Sequence, residues 1–466
     1  MGDMAITHFW GIEVGPLCNN YCATIVLARD RQLINDQSQI AQKTNFAWWP
    51  KPIQPKRSNE SRIRRFRPER YLDNTGTWQR GSARQTEELV NLRFGVKIYD
   101  NDWFLRHRMS AVQAADVLAG WGVTYVIAQS KFLPMSNSAV ESAIAEADRQ
   151  AYDALDDVAF RKLFGERGIA YFACLNICFD PAFSDAHPGL VAIDQSGRPA
   201  RQEDWYIGLP PDREENLAHK IDLLRRGVAA LKPDAVHLGF IRWPGFWETW
   251  LPGDVRSEKS EYCFSSRTVG AFNRDLGLAV DTTHPVVSAR IIRERHRQAW
   301  TDWKCAKTVE AIAKIRQELA SVQAGLQYSI NTLPFFRSDF DNAVEEVFGQ
   351  NIAALSSVVD IFEVMAYHQI LMKPPTWPAA IAEDIKARSG RKAICTVQAR
   401  ALYLEGMHAS RGRKSDLTAE EFKLALNALE TADVEGVCVF TFTDLLDMLG
   451  SEKGEAMLAG LKAFRT

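Results

Sequence analysis

Acidic residues stand beside aromatic and amide residues at several points where a short apolar segment ends. The four carboxylates of interest occur in RWPGFWETW, DIFEVMAYH, CFDP and TFTDLLD, as Glu248, Glu363, Asp180 and Asp444. Cleavage of a glycosidic bond needs two carboxyl groups, and a neighbouring Trp raises the pKa of the acid by desolvation. We therefore predict Glu248 as the general acid/base and Glu363 as the nucleophile or base. Asp180 and Asp444 are reserve candidates for these roles.

Aromatic, amide and guanidinium side chains near the same segments suit a carbohydrate substrate. Sugar rings stack on aromatic planes, and their hydroxyls pair with amide and guanidinium groups. The predicted substrate-binding residues are Asp100, Trp103, Asn176, Trp205, Arg242, Trp243, Trp247, Tyr367, His368 and Gln398. Because Trp243, Trp247 and Trp250 fall within one segment of eight residues, we expect at least one of them to line a glycan cleft.

The two leading carboxylates also have structural interpretations, which the sequence leaves open. Glu248 can pair with Arg242 in the same loop. Glu363 lies in the middle of an apolar segment, where a carboxylate is costly unless it is paired or functional. Its alternative role is a buried ion pair with Lys97 or Arg400.

The remaining polar candidates have simpler alternatives. Asp180 precedes a Pro and can form a turn, and Asp444 can cap a following turn. His237 within an apolar segment is more often a hydrogen-bonded core histidine than a metal ligand. No metal site and no organic cofactor is predicted. Cys174 and Cys178 are expected to be buried free thiols.

Short apolar segments alternate with amphipathic stretches of helical length from residue 92 onward. The predicted strands cover 92–99, 124–129, 169–177, 234–241, 325–331, 359–367, 392–398 and 436–443. The predicted helices cover 110–121, 137–165, 212–231, 265–276, 284–320, 339–355, 376–389, 418–432 and 455–464. Eight strands, each followed by helix, are the count of a (β/α)8 TIM barrel. Catalytic residues of such barrels lie at the C-terminal ends of the strands, where the candidate residues fall.

Several segments in a fixed order give the sequence a likeness to a known family. CLNICFDPAFSDAHPGLVAIDQSGRPARQEDWY is followed by PDAVHLGFIRWP, and later by SEYCFSSRTVGAFNRDLG and VFGQNIAALSSVVDIFEVMAYH. These segments resemble the bacterial glycosyl-hydrolase-like TIM-barrel family, whose strand four reads D-G-[IV]-H-[LF]-D-[YF]-I-R-[YF]-P. The resemblance covers roughly residues 92–450 and implies a TIM barrel that acts on a glycan.

One position departs from the family pattern. The strand-four Asp of the family, a presumed catalytic carboxylate, corresponds to Gly239. We expect the glycine to leave space in the barrel mouth. The departure keeps two further classes open beside a glycoside hydrolase of oligo- or polysaccharides. One is a glycan-binding barrel without catalysis, and the other is a barrel lyase or isomerase that depends on Lys97 or His368.

Length, charge and composition set the outer limits. The 466 residues predict an N-terminal arm over 1–90, rich in Pro, Arg and polar residues, and one barrel over 91–466. With 56 Lys and Arg against 58 Asp and Glu, the chain does not suit a partner held by bulk phosphate neutralisation, such as nucleic acid, or a polybasic membrane anchor. A neutral, polyhydroxylated partner fits better. The first residues lack the pattern of a signal peptide, which favours a cytoplasmic location. The oligomeric state stays open, with a homodimer as one alternative.

Overall fold

The computed structural model describes residues 90–134, 146–405, 409 and 411–464. Within them, eight parallel strands pair in sequence order, and the first strand pairs with the last. The sheet is therefore a closed barrel, and the predicted (β/α)8 class is confirmed. The predicted N-terminal arm over 1–90 lies outside the described residues except at its last position.

The barrel strands are short and buried. They are β1 (Phe94–Ile98), β2 (Tyr125–Ala128), β3 (Ala170–Asn176), β4 (Ala235–Gly239), β5 (Gln327–Thr332), β6 (Ile361–Met365), β7 (Lys392–Gln398) and β8 (Gly436–Phe440). Nearly all of their residues are shielded from solvent because helices cover the outer face and side chains fill the interior. This explains why the strands read as apolar runs rather than as alternating patterns.

Helices follow the strands around the barrel. In chain order they are α1 (Asp102–Leu105), α2 (Ala111–Gly120), α3 (Glu146–Ala154), α4 (Asp157–Glu166), α5 (Pro181–Ala186), α6 (Glu214–Leu231), α7 (Ser266–Leu276), α8 (Pro285–Arg295), α9 (Arg297–Ala320), α10 (Ala343–Glu346), α11 (Ile352–Leu355), α12 (Trp377–Ser389), α13 (Ala419–Thr431), α14 (Phe442–Asp447) and α15 (Glu452–Ala463). Several begin at caps that the sequence displays, such as Ser110 and Thr418, each in a capping box.

The structure corrects four of the predicted elements. The helix expected over 284–320 is two helices, α8 and α9, separated at His296. The helix expected over 137–165 is interrupted, because Asp156 caps the N-terminus of α4. The stretch 339–355 holds only the short helices α10 and α11. The eighth strand ends at Phe440 rather than 443, because Thr441 caps α14 and forms a capping box with Asp444. At Asp156, Asn351 and Thr441, a local side-chain hydrogen bond to the backbone prevails over hydrophobic periodicity.

The interior of the barrel changes from apolar to polar along the strands. An apolar cluster includes Ala235, Ile361 and Ile394, each on a different strand. Two residues further along the same strands stand His237, Glu363 and Thr396, all buried. Two residues further again, the strands reach their C-terminal ends. Since side chains two apart share a face of a strand, the polar residues lie directly beneath the barrel mouth.

The connection between β4 and β5 is the longest one in the described barrel and has a core of its own. It contains four 3₁₀ or α-helical segments before α9, and its aromatic cluster centres on Trp243, Trp300 and Trp303. The indole rings of Trp300 and Trp303 stack with centroids 5.2 Å apart. This cluster fixes the start of the connection, where the candidate residues of strand four lie.

The expectation for the cysteines is confirmed. The six cysteines of the described part, Cys174 and Cys178 among them, are free and buried. Among the described residues, no helix combines the length and the apolar character needed to cross a membrane.

Gly95 offers a test of the barrel packing. A Cβ atom at this position would lie 2.1 Å from Cζ of Tyr125, whose ring is buried inside the barrel. We expect Gly95→Ala to lower the free energy of unfolding by about 1–3 kcal/mol through overpacking, measured by denaturant titration. Gly120→Ala is the control, because no atom lies within 4 Å of its added methyl group. That variant should leave stability unchanged or raise it by up to about 1 kcal/mol. Equal effects of the two substitutions would contradict the packing described.

Candidate active site at the end of strand four

The chain makes a tight turn immediately after β4. Phe240 has a φ of 54°, a left-handed conformation that a bulky residue rarely adopts. Its backbone N–H donates to Oδ1 of Asn331, at the end of β5, over 3.0 Å. Asn331 therefore fixes a strained backbone at the barrel mouth. Such strain persists where the surroundings over-determine it, and it concentrates at functional sites.

Arg242 follows this turn and is buried with its charge. Only 1% of the residue is exposed, and the guanidinium carbon lies 4.6 Å from the ring centre of Phe240 and 5.8 Å from that of Tyr206. Among the described residues, no hydrogen-bond acceptor reaches any of its three guanidinium nitrogens. Cation–π contact with two rings compensates the buried charge only in part. The guanidinium thus lacks the hydrogen bonds that normally accompany a buried charge.

Glu248 is the carboxylate nearest to Arg242 in the sequence, and it lies in a short 3₁₀ helix, Trp247–Thr249. It is 6% exposed, and its Oε2 has no hydrogen-bond partner in the described part of the chain. Burial raises the pKa of Glu248 to about 7, although the positive charges of Arg242 and Arg413 act in the opposite direction. Arg413 also donates to the backbone carbonyl of Glu248 over 2.8 Å. The alternative of a direct Glu248–Arg242 ion pair is therefore not what the structure shows.

Aromatic rings surround these two residues. Phe179, Tyr206 and Phe246 form a buried cluster, against which the partly exposed rings of Trp205, Phe240 and Tyr403 pack. The indole N–H of Trp205 donates to the hydroxyl of Tyr403 over 3.1 Å, which joins the loops after β3 and β7. Tyr403 also has a positive φ, of 57°. The partly exposed rings give the site apolar planes on which a sugar ring can stack.

Tyr367 connects Glu248 to the polar layer inside the barrel. Burial raises its pKa well above 10, and both Glu363 and Glu248 add to the rise. Its ring stacks on Trp247 at 6.1 Å between centroids and contacts Phe440 at 5.4 Å. The two carboxylates predicted to be catalytic thus both act electrostatically on the same phenol.

Glu363 is fully buried in the barrel interior. Its Oε1 accepts hydrogen bonds from Nζ of Lys97, over 2.8 Å, and from the Thr396 hydroxyl. Its Oε2 lies 3.5 Å from Nε2 of His237, and the other ring nitrogen of that histidine lies 3.1 Å from the Ser329 hydroxyl. The pairing with Lys97 is one of the two alternatives considered for Glu363. The histidine is the hydrogen-bonded core residue expected, and burial lowers its pKa to about 4.

The reserve carboxylates serve as helix caps. Asp180 caps α5 by accepting from the backbone N–H of Phe183, and its other oxygen pairs with Lys220 over 2.8 Å. Asp444 completes the capping box of α14 and pairs with Arg400. Both carboxylates are thereby committed to local structure. This geometry makes either one a weaker candidate for acid–base chemistry than Glu248.

Asp100 is a further carboxylate at the mouth, after β1. It accepts from the hydroxyl of Thr443 and from the backbone N–H of Asp102. Burial nevertheless raises the pKa of Asp100 to about 6, and the charge of Asp444 contributes to the rise. Asp100 was predicted as a substrate-binding residue, and its raised pKa also permits a part in proton transfer.

Several of the remaining predicted binding residues are buried and have structural roles. The expectation that at least one Trp of the strand-four loop lines a cleft is not met, because Trp243, Trp247 and Trp250 are all shielded from solvent. The indole N–H of Trp243 donates to the carbonyl of Lys304, and Trp103 stacks on Phe160 in the helical layer. The loop is thus held by its tryptophans rather than lined by them.

Gln398 and His368 lie near each other at the ends of β7 and β6. Gln398 accepts from the backbone N–H of Ile370 and donates to the Gln369 side chain, so its amide braces the loop after β6. His368 is buried, with its pKa lowered by desolvation to about 4, and neither ring nitrogen has a partner among the described residues. Of the two, only the histidine has side-chain polar atoms without a hydrogen-bond partner in the described part of the chain.

The space expected beside Gly239 is filled. A Cβ atom on this residue would lie 2.3 Å from Oδ1 of Asn176, the last residue of β3. The expectation of an open position is therefore wrong, because the neighbouring amide side chain occupies the volume that a side chain at 239 would need. A carboxylate at this position would first require Asn176 to move.

Several site residues escaped the sequence interpretation. Tyr206, Phe240, Tyr403 and Arg413 all contact Arg242, Glu248 or each other. Phe240 and Tyr206 stand inside motifs that had been recognised, so aromatic residues adjacent to Arg242 and Trp205 carried a usable signal. Arg413 lies well beyond β7, and no local pattern marks it. Among the described residues, no group of three or more His, Cys, Asp or Glu is arranged to hold a metal ion.

The similarity of this chain to known proteins lies in its structure rather than in its sequence. No protein-family model and no curated protein matches the sequence. The chain is similar to the PgaB (BpsB) glycoside hydrolase domain from Bordetella bronchiseptica, with a TM-score of 0.55, 15% identity and coverage of 79% of this chain and 99% of that one. It is also similar to the catalytic domain of β-amylase from Paenibacillus polymyxa, with a TM-score of 0.50, 11% identity and coverage of 81% and 98%. The likeness shows the fold.

The Lys97–Glu363 pair can be tested by its effect on stability. Lys97→Met leaves a buried carboxylate without its charge partner, so we expect the free energy of unfolding to fall by about 3–5 kcal/mol. The double variant Lys97→Met/Glu363→Gln should recover much of that loss in denaturant titrations. Arg225→Met is the control, because its pair with Glu318 is exposed and worth at most about 1 kcal/mol. A loss in Lys97→Met no larger than in the control would refute the buried pair.

Proposed function

We propose that the chain is a glycoside hydrolase whose general acid is Glu248. The observation that carries the proposal is a buried carboxyl group with its pKa raised to about 7, placed among aromatic rings at the C-terminal face of a TIM barrel. Active sites of this fold lie at that face. Barrels of similar fold include proteins named as a glycoside hydrolase domain and a β-amylase, which supports the same reaction class.

The environment of Glu248 suits proton donation to a leaving oxygen. At neutral pH a carboxyl group with a pKa near 7 is protonated in about half of the molecules, whereas an ordinary Glu is almost fully ionised. The partly exposed rings of Trp205, Phe240 and Tyr403 would stack on the sugar, and Arg242 would bind its oxygens. Arg413 holds the backbone of Glu248 and so positions the acid.

The second carboxylate has two candidates. Glu363 lies beneath the mouth within electrostatic range of Tyr367, but it is buried and paired with Lys97. Asp100 lies at the mouth and retains a raised pKa. A nucleophile at Glu363 would require the sugar to displace the aromatic rings above it. A base at Asp100 would not require this displacement. Single substitutions of Glu363 and of Asp100 therefore distinguish the two possibilities.

A glycan-binding barrel without catalysis is the second candidate function. The observation that favours it lies at Gly239, where the resembled family carries a carboxylate and this chain has none, with Asn176 in the available volume. Such a protein would bind oligosaccharides through the same rings and Arg242, and would release no reducing ends. A lyase or isomerase that depends on Lys97 is less favoured, because the amine is held by Glu363 away from the mouth.

The decisive experiment measures glycan cleavage by wild type and Glu248→Gln across a panel of oligo- and polysaccharides. We expect the variant to lose about 10²–10⁴-fold in kcat because amide cannot donate the proton. Glu345→Gln is the matched control, since Glu345 in α10 is also a buried glutamate but forms an ion pair with Arg337. Parallel reactions of Glu363→Gln and Asp100→Asn identify the second carboxylate. Saturable binding without cleavage by wild type would favour the binding barrel instead.

The pH profile gives a separate test of the acid. An acid must be protonated to act, so the rate should fall as pH rises through about 7, the pKa of Glu248. With an ordinary glutamate the fall would begin near pH 4–5. The profile of kcat/KM between pH 4 and 9 measures the position of this limb. A rate that stays constant from pH 5 to 9 would exclude Glu248 as the essential acid.

A further inference from the structure

We propose that Arg242 forms a subsite for a carboxylate carried by the substrate, so that the glycan is built at least in part from acidic sugars. The inference rests on the proposed function and adds the substrate class to it. It is motivated by a guanidinium that is almost completely buried yet unpaired with any acceptor among the described residues.

A buried and unpaired guanidinium is unfavourable in the free protein. Buried charges are normally paired or hydrogen-bonded because desolvation is costly, and Arg cannot escape this cost by losing its proton. The other buried arginine of the described barrel with comparable burial, Arg213, follows that rule, since it donates to the Leu190 carbonyl, to Asp212 and to Thr268. Arg242 instead contacts the rings of Phe240 and Tyr206. The contrast indicates that its partner lies outside the described residues, and we assign that partner to the ligand.

The available neighbours do not supply that partner. Glu248 is close enough for the charge of Arg242 to act on its pKa, but no hydrogen bond joins them, and Oε2 of Glu248 is itself unpartnered. The other titratable groups that sense the Arg242 charge are the Tyr206 phenol and the Cys178 thiol, and burial raises the pKa of both, so they are neutral at pH 7. The site therefore presents a cation facing a carboxyl group that is only partly ionised.

A carboxylate matches this cation better than a hydroxyl does. The guanidinium donors lie in one plane and meet the two oxygens of a carboxylate in a bidentate pair, which both strengthens and orients the contact. A sugar hydroxyl satisfies one donor and brings no charge. The near-zero net charge of the whole chain does not oppose this inference, because a buried site responds to its local charges rather than to the average.

Binding of a carboxylate would also act on the catalytic group. The charge of Arg242 lowers the pKa of Glu248 in the free protein, against the larger effect of burial. An anion on Arg242 would offset that charge, so the acid would stay protonated to higher pH. We therefore expect the alkaline limb of the rate profile to lie at higher pH with a uronic-acid substrate than with a neutral one.

The test uses pairs of oligosaccharides that differ only at the carboxyl group. Glucuronate-, galacturonate- and mannuronate-containing oligomers are each compared with their carboxyl-reduced forms, by calorimetry on Glu248→Gln to prevent turnover. We expect at least one acidic oligomer to bind at least tenfold more tightly than its reduced form. Adding Arg242→Met should abolish the preference, while adding Arg225→Met, which alters an exposed arginine on the outer helices, should keep it.

Stability without carbohydrate supplies a second measurement. Because Met fills a similar volume and carries no charge, Arg242→Met should raise Tm in the free protein if the guanidinium awaits a ligand. A structural arginine would behave in the opposite way, and Arg213→Met should lower Tm for that reason. A fall in Tm for Arg242→Met comparable to that of Arg213→Met would overturn the proposal without any need for a ligand.

The outcomes separate this inference from the proposed function. Cleavage of neutral glycans that depends on Glu248, with equal or weaker binding of the acidic members, would overturn the carboxylate subsite and leave the hydrolase intact. Preference for a sulfated oligomer over the uronate would replace the carboxylate by a sulfate ester and so overturn the inference as stated. Absence of both binding and cleavage for every pair would refute both the carboxylate subsite and the proposed glycan function.

Discussion

Closure of the barrel is the constraint on which the rest of the structure depends. The parallel pairing of β1 with β8 brings the C-terminal ends of all eight strands to one face. Residues far apart in the chain, such as Asp100 and Asp444, become neighbours only through this closure. Closure also shields the inward-facing side chains from solvent, so each of them must pack against apolar neighbours or pair with a polar group. The Lys97–Glu363 pair is one consequence, since neither charge has access to water.

Desolvation at the mouth then determines the chemistry. Burial gives the Glu248 carboxyl group a pKa suited to proton transfer at neutral pH, and the buried tryptophans of the strand-four loop hold the segment that carries it. The same burial leaves Arg242 charged without a hydrogen-bond acceptor among the described residues. One feature, a loop anchored by buried aromatic rings, thereby produces both a proton donor and an unsatisfied cation. The strained backbone at Phe240 places the ring that covers that cation.

The sequence predicted the fold well and the site in part. Periodicity located all eight strands, because apolar runs buried on both faces are distinctive. Glu248 and Arg242 were selected because active sites of TIM barrels lie at the C-terminal ends of the strands. The roles of individual tryptophans were not predictable, since an indole that anchors a loop and one that lines a cleft have the same sequence context. Arg413 and Tyr403 could not be found because tertiary contacts alone bring them to Glu248 and Trp205. The end of β8 was missed because the capping box of Thr441 overrode an apolar run.

The contact between Asn176 and Gly239 has a consequence for how such a barrel can change over time. The two residues pair across β3 and β4, and the amide of one occupies the volume that a side chain on the other would need. A side chain at 239 is therefore possible only if the Asn176 amide turns away, so a substitution at the end of β4 acts first on the end of β3. With glycine at the end of β4 itself, the proposed acid comes from the loop that follows this strand, at Glu248.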